Sequence, residues 1–256
     1  MFKTFVRPAI VAHRGSCAYA PENTLASFLL AVQHQADAIE LDAKLSADGR
    51  VMVIHDATVD RTTTGKGVVR EMTMAELKAL DAGSSFDITF KGEKIPTLDD
   101  VFAAVGRKIP INIELTNYTS MFDELPEKVT ALIKKHNLVG HVFFSSFSPI
   151  ALIRARRALP AVPGCLLATE GPSGAWMRGW PGRLVGCQAL HPEKGDVTAK
   201  LVNDAHSQGK RVHVYTVNQE ADMRRLFELG VDGIFTDNPP LARKVRAAMA
   251  SAAKPA

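Results

Sequence analysis

The chain has 256 residues, 46% hydrophobic and 23% charged, with a formal net charge of +4. That balance is ordinary for a soluble globular protein. It excludes a nucleic-acid footprint, since no block of like charges exists, and stable membrane insertion, since no apolar stretch approaches the length of a span. Three scattered cysteines, Cys17, Cys165 and Cys187, share no CxxC spacing and read as reduced thiols. The N-terminus lacks a continuous apolar stretch with a small-residue cleavage site, so a cytoplasmic location is expected.

In chain order, the first apolar run, Ala9–Ala12, ends in His13-Arg14-Gly15, and a helix is predicted over 22–35. Apolar runs follow at 38–41 and 51–54. The stretch 56–96 then breaks the rhythm, polar and rich in turn residues, and reads as an insertion. Beyond it, strand-like runs at 109–115, 141–145, 162–167, 185–190, 211–217 and 232–235 alternate with amphipathic segments. These are Leu98–Val105, 125–136, Pro149–Ala158, 199–208, 219–229 and 239–249. About eight strand-then-helix units in about 250 residues predict an α/β fold of the TIM (β/α)8 type, one domain over 1–256 with a small insertion after the second strand region. A doubly wound open sheet is the alternative, but no GxGxxG or P-loop follows the first strand.

Active sites of such barrels lie at the C-terminal ends of the strands, so polar residues at strand exits are the candidates. Four exits stand out. His13 is accompanied by Arg14, whose guanidinium fork suits phosphate or carboxylate, with Gly15 allowing a close turn. In "AIELDAKL", period-two alternation puts Glu40 and Asp42 on one face. Two carboxylates in a barrel mouth repel unless a cation lies between them; the bland alternative is a solvated pair. The run "VMVIHD" delivers a second histidine, His55, and two imidazoles give an acid and a base that titrate near neutral pH. In "INIEL", Glu114 is a third carboxylate on the same parity as Asn112. Three hard oxygen ligands suit a divalent cation, Mg2+ or Ca2+, better than zinc.

The ordered set "HRG", "PENT", "ELD", "HD", "NIEL", "VYTVN" and "GVDGIFTDNP" resembles the glycerophosphodiester phosphodiesterase family, most closely its cytosolic bacterial members, over nearly the whole chain. The resemblance implies a TIM barrel with an insertion, and metal-dependent hydrolysis of deacylated phospholipids to glycerol 3-phosphate and an alcohol. It further implies Glu40, Asp42 and Glu114 as metal ligands, His13 and His55 as general base and acid, and Arg14 as phosphate clamp. Glu22 and Asn23 of "PENT" either start a helix or, by the resemblance, support the site from behind. The family pattern often carries a lysine two residues after the third carboxylate; here Thr116 stands there, and Lys44, on the parity of Asp42, is a candidate replacement.

Further residues complete the expected pocket. Tyr215, in "VHVYTVN", offers a ring to the glycerol carbons, with rim packing as the alternative. His191 is placed at a strand exit as a candidate pocket residue, against a purely structural role. Trp176 and Trp180 read as exterior packing or as a lid. Two other functions fit the same residues less well: a lipid-acting phospholipase D- or C-like barrel, and a non-catalytic barrel that binds phosphodiesters.

Overall fold

A computed structural model of the chain describes residues 5–118, 120, 122–178 and 185–252. Eight parallel strands form a barrel: β1 (Ala9–Ala12), β2 (Ala38–Leu45), β4 (Ile111–Leu115), β5 (Val142–Ser146), β6 (Gly164–Ala168), β7 (Ala189–Pro192), β8 (Arg211–Val214) and β9 (Gly233–Thr236). Pairing of β1 with both β9 and β2 closes the sheet on itself. The strands are short and buried on both faces, as they must be when side chains fill the interior and helices cover the outside. Val11, Phe143, Cys165, Ala189 and Phe235 pack inside. Ile10, Ile39, Ile111, Val142 and Ile234 belong to the larger core beneath the helices.

The outer layer consists of α1 (Leu25–Gln33), α3 (Leu98–Val105), α4 (Leu125–Lys135), α5 (Pro149–Ala158), α6 (Pro172–Arg178), α7 (Ala199–Ser207), α8 (Glu220–Glu228) and α9 (Pro239–Ala252). Thr24, Thr97, Ser148 and Thr198 cap four of them with their hydroxyls, which explains where those helices begin. Trp176 lies within α6, but its side chain and all of Trp180 fall outside the described residues.

Several elements differ from the sequence-based expectation. The run at 51–54 is no barrel strand: Val51–Val53 forms β3, antiparallel to β2, because the chain reverses at Gly49, whose φ of 69° is in the left-handed region. β2 accordingly continues to Leu45. The segment 56–96 then carries its own small core of Val59, Val69, Leu77 and Ile95 packed on Met52 and Ile54, together with a short helix α2 (Met74–Ala79). The first helix starts at Leu25 instead of residue 22, since Asn23 takes φ 57° and Thr24 is the cap. β7 begins four residues later than expected, because Gly186 turns the chain with φ 59°.

Candidate active site

Strand register assembles the acidic cluster. Glu40 pairs with Asn112 and Asp42 with Glu114 across β2 and β4, so alternation aims all four side chains the same way. Oxygens of Glu40, Asp42 and Glu114 lie within 4.8 Å of one another. Each carboxylate is held from behind. The Arg14 backbone N–H donates to Glu40 Oε2 (2.8 Å), Asn23 Nδ2 donates to Asp42 Oδ2 (2.8 Å), and Tyr118 Oη donates to Glu114 Oε1 (2.6 Å). Burial, with Asp42 and Glu114 beside it, drives Glu40 well above the usual carboxylate range. Burial and Asp42 push Glu114 up to about 8. Asn112 Oδ1, also buried here, has no partner among the described residues. Three crowded hard-oxygen donors and an orphaned amide oxygen fit a divalent cation of the Mg2+ or Ca2+ type.

Two histidines stand over this cluster, each gripped at Nδ1. His13 Nδ1 is 2.7 Å from Asp237 Oδ1, and His55 Nδ1 is 2.6 Å from Asp56 Oδ1. With Nδ1 bound, Nε2 is the nitrogen left for chemistry. Asp237 also accepts from the Cys17 thiol and from Asn218 Nδ2. Burial opposes its ionisation, but these bonds hold Asp237 at about 2. Asp56 is kept well below its usual range by Arg61.

Arg61 ties the two sides of the site together. It donates to Asp56 from Nε (2.7 Å) and to Glu22 from both terminal nitrogens (2.7 and 2.8 Å). Glu22 in turn accepts from Arg14 NH1 at 2.9 Å. Arg14 Nε lies 3.5 Å from Asp42 Oδ2, without hydrogen-bond geometry. Glu22 and Asn23 therefore do not start the helix; they brace Arg14 and Asp42.

These groups share one cavity of about 220 Å³, lined by His13, Arg14, Glu40, Asp42, His55, Asn112 and Glu114 on its polar side. Phe147, Leu167, Tyr215 and Phe235 form the apolar side. Tyr215 is turned by its hydroxyl, which donates to the Ala168 carbonyl (2.9 Å), so its ring is the surface offered. Two expectations need correction. His191 lies inside β7, not at its exit; it is fully buried, with Nε2 3.3 Å from His213 Nδ1 and its ring against Phe235. It belongs to the barrel interior and does not line the cavity. Lys44 lines a neighbouring cavity, its Nζ donating to Thr116 Oγ1 at 2.8 Å.

Asp237 and Arg61 were not singled out from sequence. Asp237 lies in "TDNP", where an aspartate reads as a turn former, and its partner His13 is 224 positions away. Arg61 sits among the turn residues of the insertion.

The model of the glycerophosphoryl diester phosphodiesterase family matches residues 13–241. A glycerophosphodiester phosphodiesterase of Caldanaerobacter subterraneus subsp. tengcongensis is 38% identical over 235 residues, 91% of this chain and 96% of that protein. One from Bacillus subtilis is 36% identical over 92% of this chain and 85% of that protein. In structure, an Oleispira antarctica phosphodiesterase in complex with the product sn-glycerol-3-phosphate superposes with TM-score 0.87 at 32% identity, covering 94% of this chain and 97% of the other. With the barrel, the ordered motifs and these likenesses in agreement, the chain belongs to the glycerophosphoryl diester phosphodiesterase family.

Proposed function

We propose that the chain hydrolyses glycerophosphodiesters to glycerol 3-phosphate and an alcohol, with His13 and His55 as the proton-transfer pair over a divalent cation held by Glu40, Asp42 and Glu114. The observation that carries this reading is the convergence of three braced carboxylates and two Nδ1-anchored imidazoles on one cavity. A phosphodiester is an anion with a poor alkoxide leaving group. Positive charge must meet its non-bridging oxygens, and a proton must meet the departing oxygen. Bound Mg2+ or Ca2+ supplies Lewis-acid charge compensation there. Arg14, fixed between Glu22 and Asp42, contributes a second positive charge. His13, held in one tautomer by Asp237, takes a proton at Nε2 from the attacking oxygen, which is water directly or the glycerol 2-hydroxyl followed by water opening the cyclic ester. His55, exposed at the mouth, gives one from Nε2 to the leaving alcohol. Each transfer is worth roughly 10²–10⁴ in rate. The ring of Tyr215 covers the glycerol carbons.

No helix among the described residues is long and apolar enough to cross a membrane. Cys17, Cys165 and Cys187 form no disulfide among the described residues, which suits a reducing compartment, and we place the protein in the cytoplasm on that ground. The test is release of glycerol 3-phosphate from glycerophosphodiesters, measured by a coupled dehydrogenase assay after EDTA treatment and again with Mg2+ or Ca2+ restored. His13→Ala and His55→Ala are expected to lose turnover with the fold intact. Near wild-type release by either variant overturns the assignment.

A further inference from the structure

A second cavity, of about 260 Å³, opens beside the first and is lined by Lys44, Ala57, Val68, Arg70, Thr116 and Asn117, among others. Its position follows from strand geometry. Lys44 is two residues beyond Asp42 on β2, and Thr116 two beyond Glu114 on the path of β4. The cavity therefore begins roughly 7 Å further out than the carboxylates, on the same face. It lies across the mouth from Tyr215 and Leu167, the apolar wall of the first cavity. Ala57, two residues past His55, forms part of its lining. His55, which lines the first cavity, is thus two positions along the chain from the wall of the second.

We infer that this cavity receives the leaving alcohol, and that it selects hydroxyl-rich headgroups such as glycerol or inositol over quaternary ammonium. The inference rests on the hydrolase reading above. Three features of the lining carry it. First, Asn117 is buried, and its amide orientation is set by Nδ2, which donates to Asp123 Oδ1 at 3.0 Å; its Oδ1 has no partner among the described residues. That oxygen accepts a hydrogen bond, which a hydroxyl supplies and a trimethylammonium cannot. Second, Lys44 Nζ has three protons and spends its short bond on Thr116, so a further one can point at an alcohol oxygen. Third, a quaternary ammonium calls for aromatic faces or free carboxylates. No aromatic residue is among the described lining. Its one carboxylate among the described residues, Asp123, is held at Oδ1 by Asn117 and by the backbone N–H of Leu125 that opens α4, and it faces two cations. Lys44 and Arg70 make the space repel a cation. The Thr116 that stands where related chains often carry lysine is thereby part of a polar wall, bonded on one side to Lys44 and on the other to the Ala43 carbonyl.

The experiment compares kcat/KM for glycerophosphoglycerol, glycerophosphoinositol and glycerophosphocholine, which yield the same glycerol 3-phosphate in the same assay. The polyol substrates are expected to be favoured by about tenfold, the effect of one satisfied buried acceptor. Val68→Met, which narrows the cavity without adding an aromatic face, and Asn117→Leu, which removes the acceptor, are each expected to bring the polyol-to-choline ratio to near one. A general loss of fold or activity would lower all substrates together and leave that ratio unchanged. Equal or better use of the choline substrate by the wild type overturns the inference while leaving the hydrolase reading intact, as does an unchanged ratio in variants that keep the wild-type Tm. Absence of glycerol 3-phosphate from every substrate overturns the hydrolase reading and the headgroup site with it.

Discussion

Replacing Asp237 by asparagine is the sharpest probe of the acid–base pair. Asp237 uses both oxygens as acceptors: Oδ1 takes His13 at 2.7 Å and the Cys17 thiol at 3.0 Å, while Oδ2 takes Asn218 Nδ2. An amide of the same shape has one acceptor and one donor. If its NH2 faces Asn218, two donors collide. If it faces His13, Nδ1 is forced to accept, the ring proton moves to Nε2, and His13 can no longer take a proton there. The charge-assisted bond alone is worth about 1.5–3 kcal/mol. That is a fall of about 10- to 100-fold, and the tautomer change adds to it. The assay is kcat for glycerol 3-phosphate release at saturating divalent cation, with circular dichroism and Tm to control for folding. A folded Asp237→Asn enzyme within threefold of wild type would refute the claim that Asp237 sets the tautomer of His13.

Arg61→Ala removes a side chain that is half exposed, so its ion pairs are worth about 1 kcal/mol or less and Tm should hardly move. Activity should nevertheless fall about tenfold, because Asp56 and Glu22 both lose their anchor; an unchanged kcat counts against the bridge. Gly15→Ala places a Cβ 2.4 Å from Ser27 Oγ and 2.7 Å from its backbone carbon, at a φ of 85°. A cost of about 2 kcal/mol or more is expected, with Tm down by about 4–8 °C and activity reduced, because the turn carries His13 and Arg14. His213 is buried beside His191 and Asp232, and burial lowers it to about 4. The folded state disfavours the charged ring, so its contribution is present above about 6.5 and is lost as pH falls from there toward 4. The gap corresponds to about 3 kcal/mol. The fall in Tm over that range should be shallower in His213→Gln, and an identical slope would contradict the assignment.

The barrel and its acidic cluster were legible because both obey short rules. Period-two alternation placed Glu40, Asp42 and Glu114 on inward faces, and parallel neighbours then brought them together. His191 failed under the same rule by a single position: β7 runs on to Pro192, so the histidine is a strand residue and packs inside. The β2–β3 hairpin reads as two barrel strands because an apolar run of four, Val51 to Ile54, carries no sign of its direction. Asp237 and Arg61 were invisible for a different reason. Each derives its role from partners brought close only by closure of the barrel or folding of the insertion, and neither has a local pattern to announce it.

One imidazole belongs to the barrel and the other to the stem of the insertion, and the link between them is a row of alternating charges, Arg14–Glu22–Arg61–Asp56. Arg61, the most exposed member of that row, faces water, where the reach of an electric field shrinks to about 8 Å at physiological ionic strength. Salt that screens Arg61 loosens the link between the two imidazoles before it reaches the barrel core, so turnover is expected to respond to neutral salt more steeply than the stability of the barrel does.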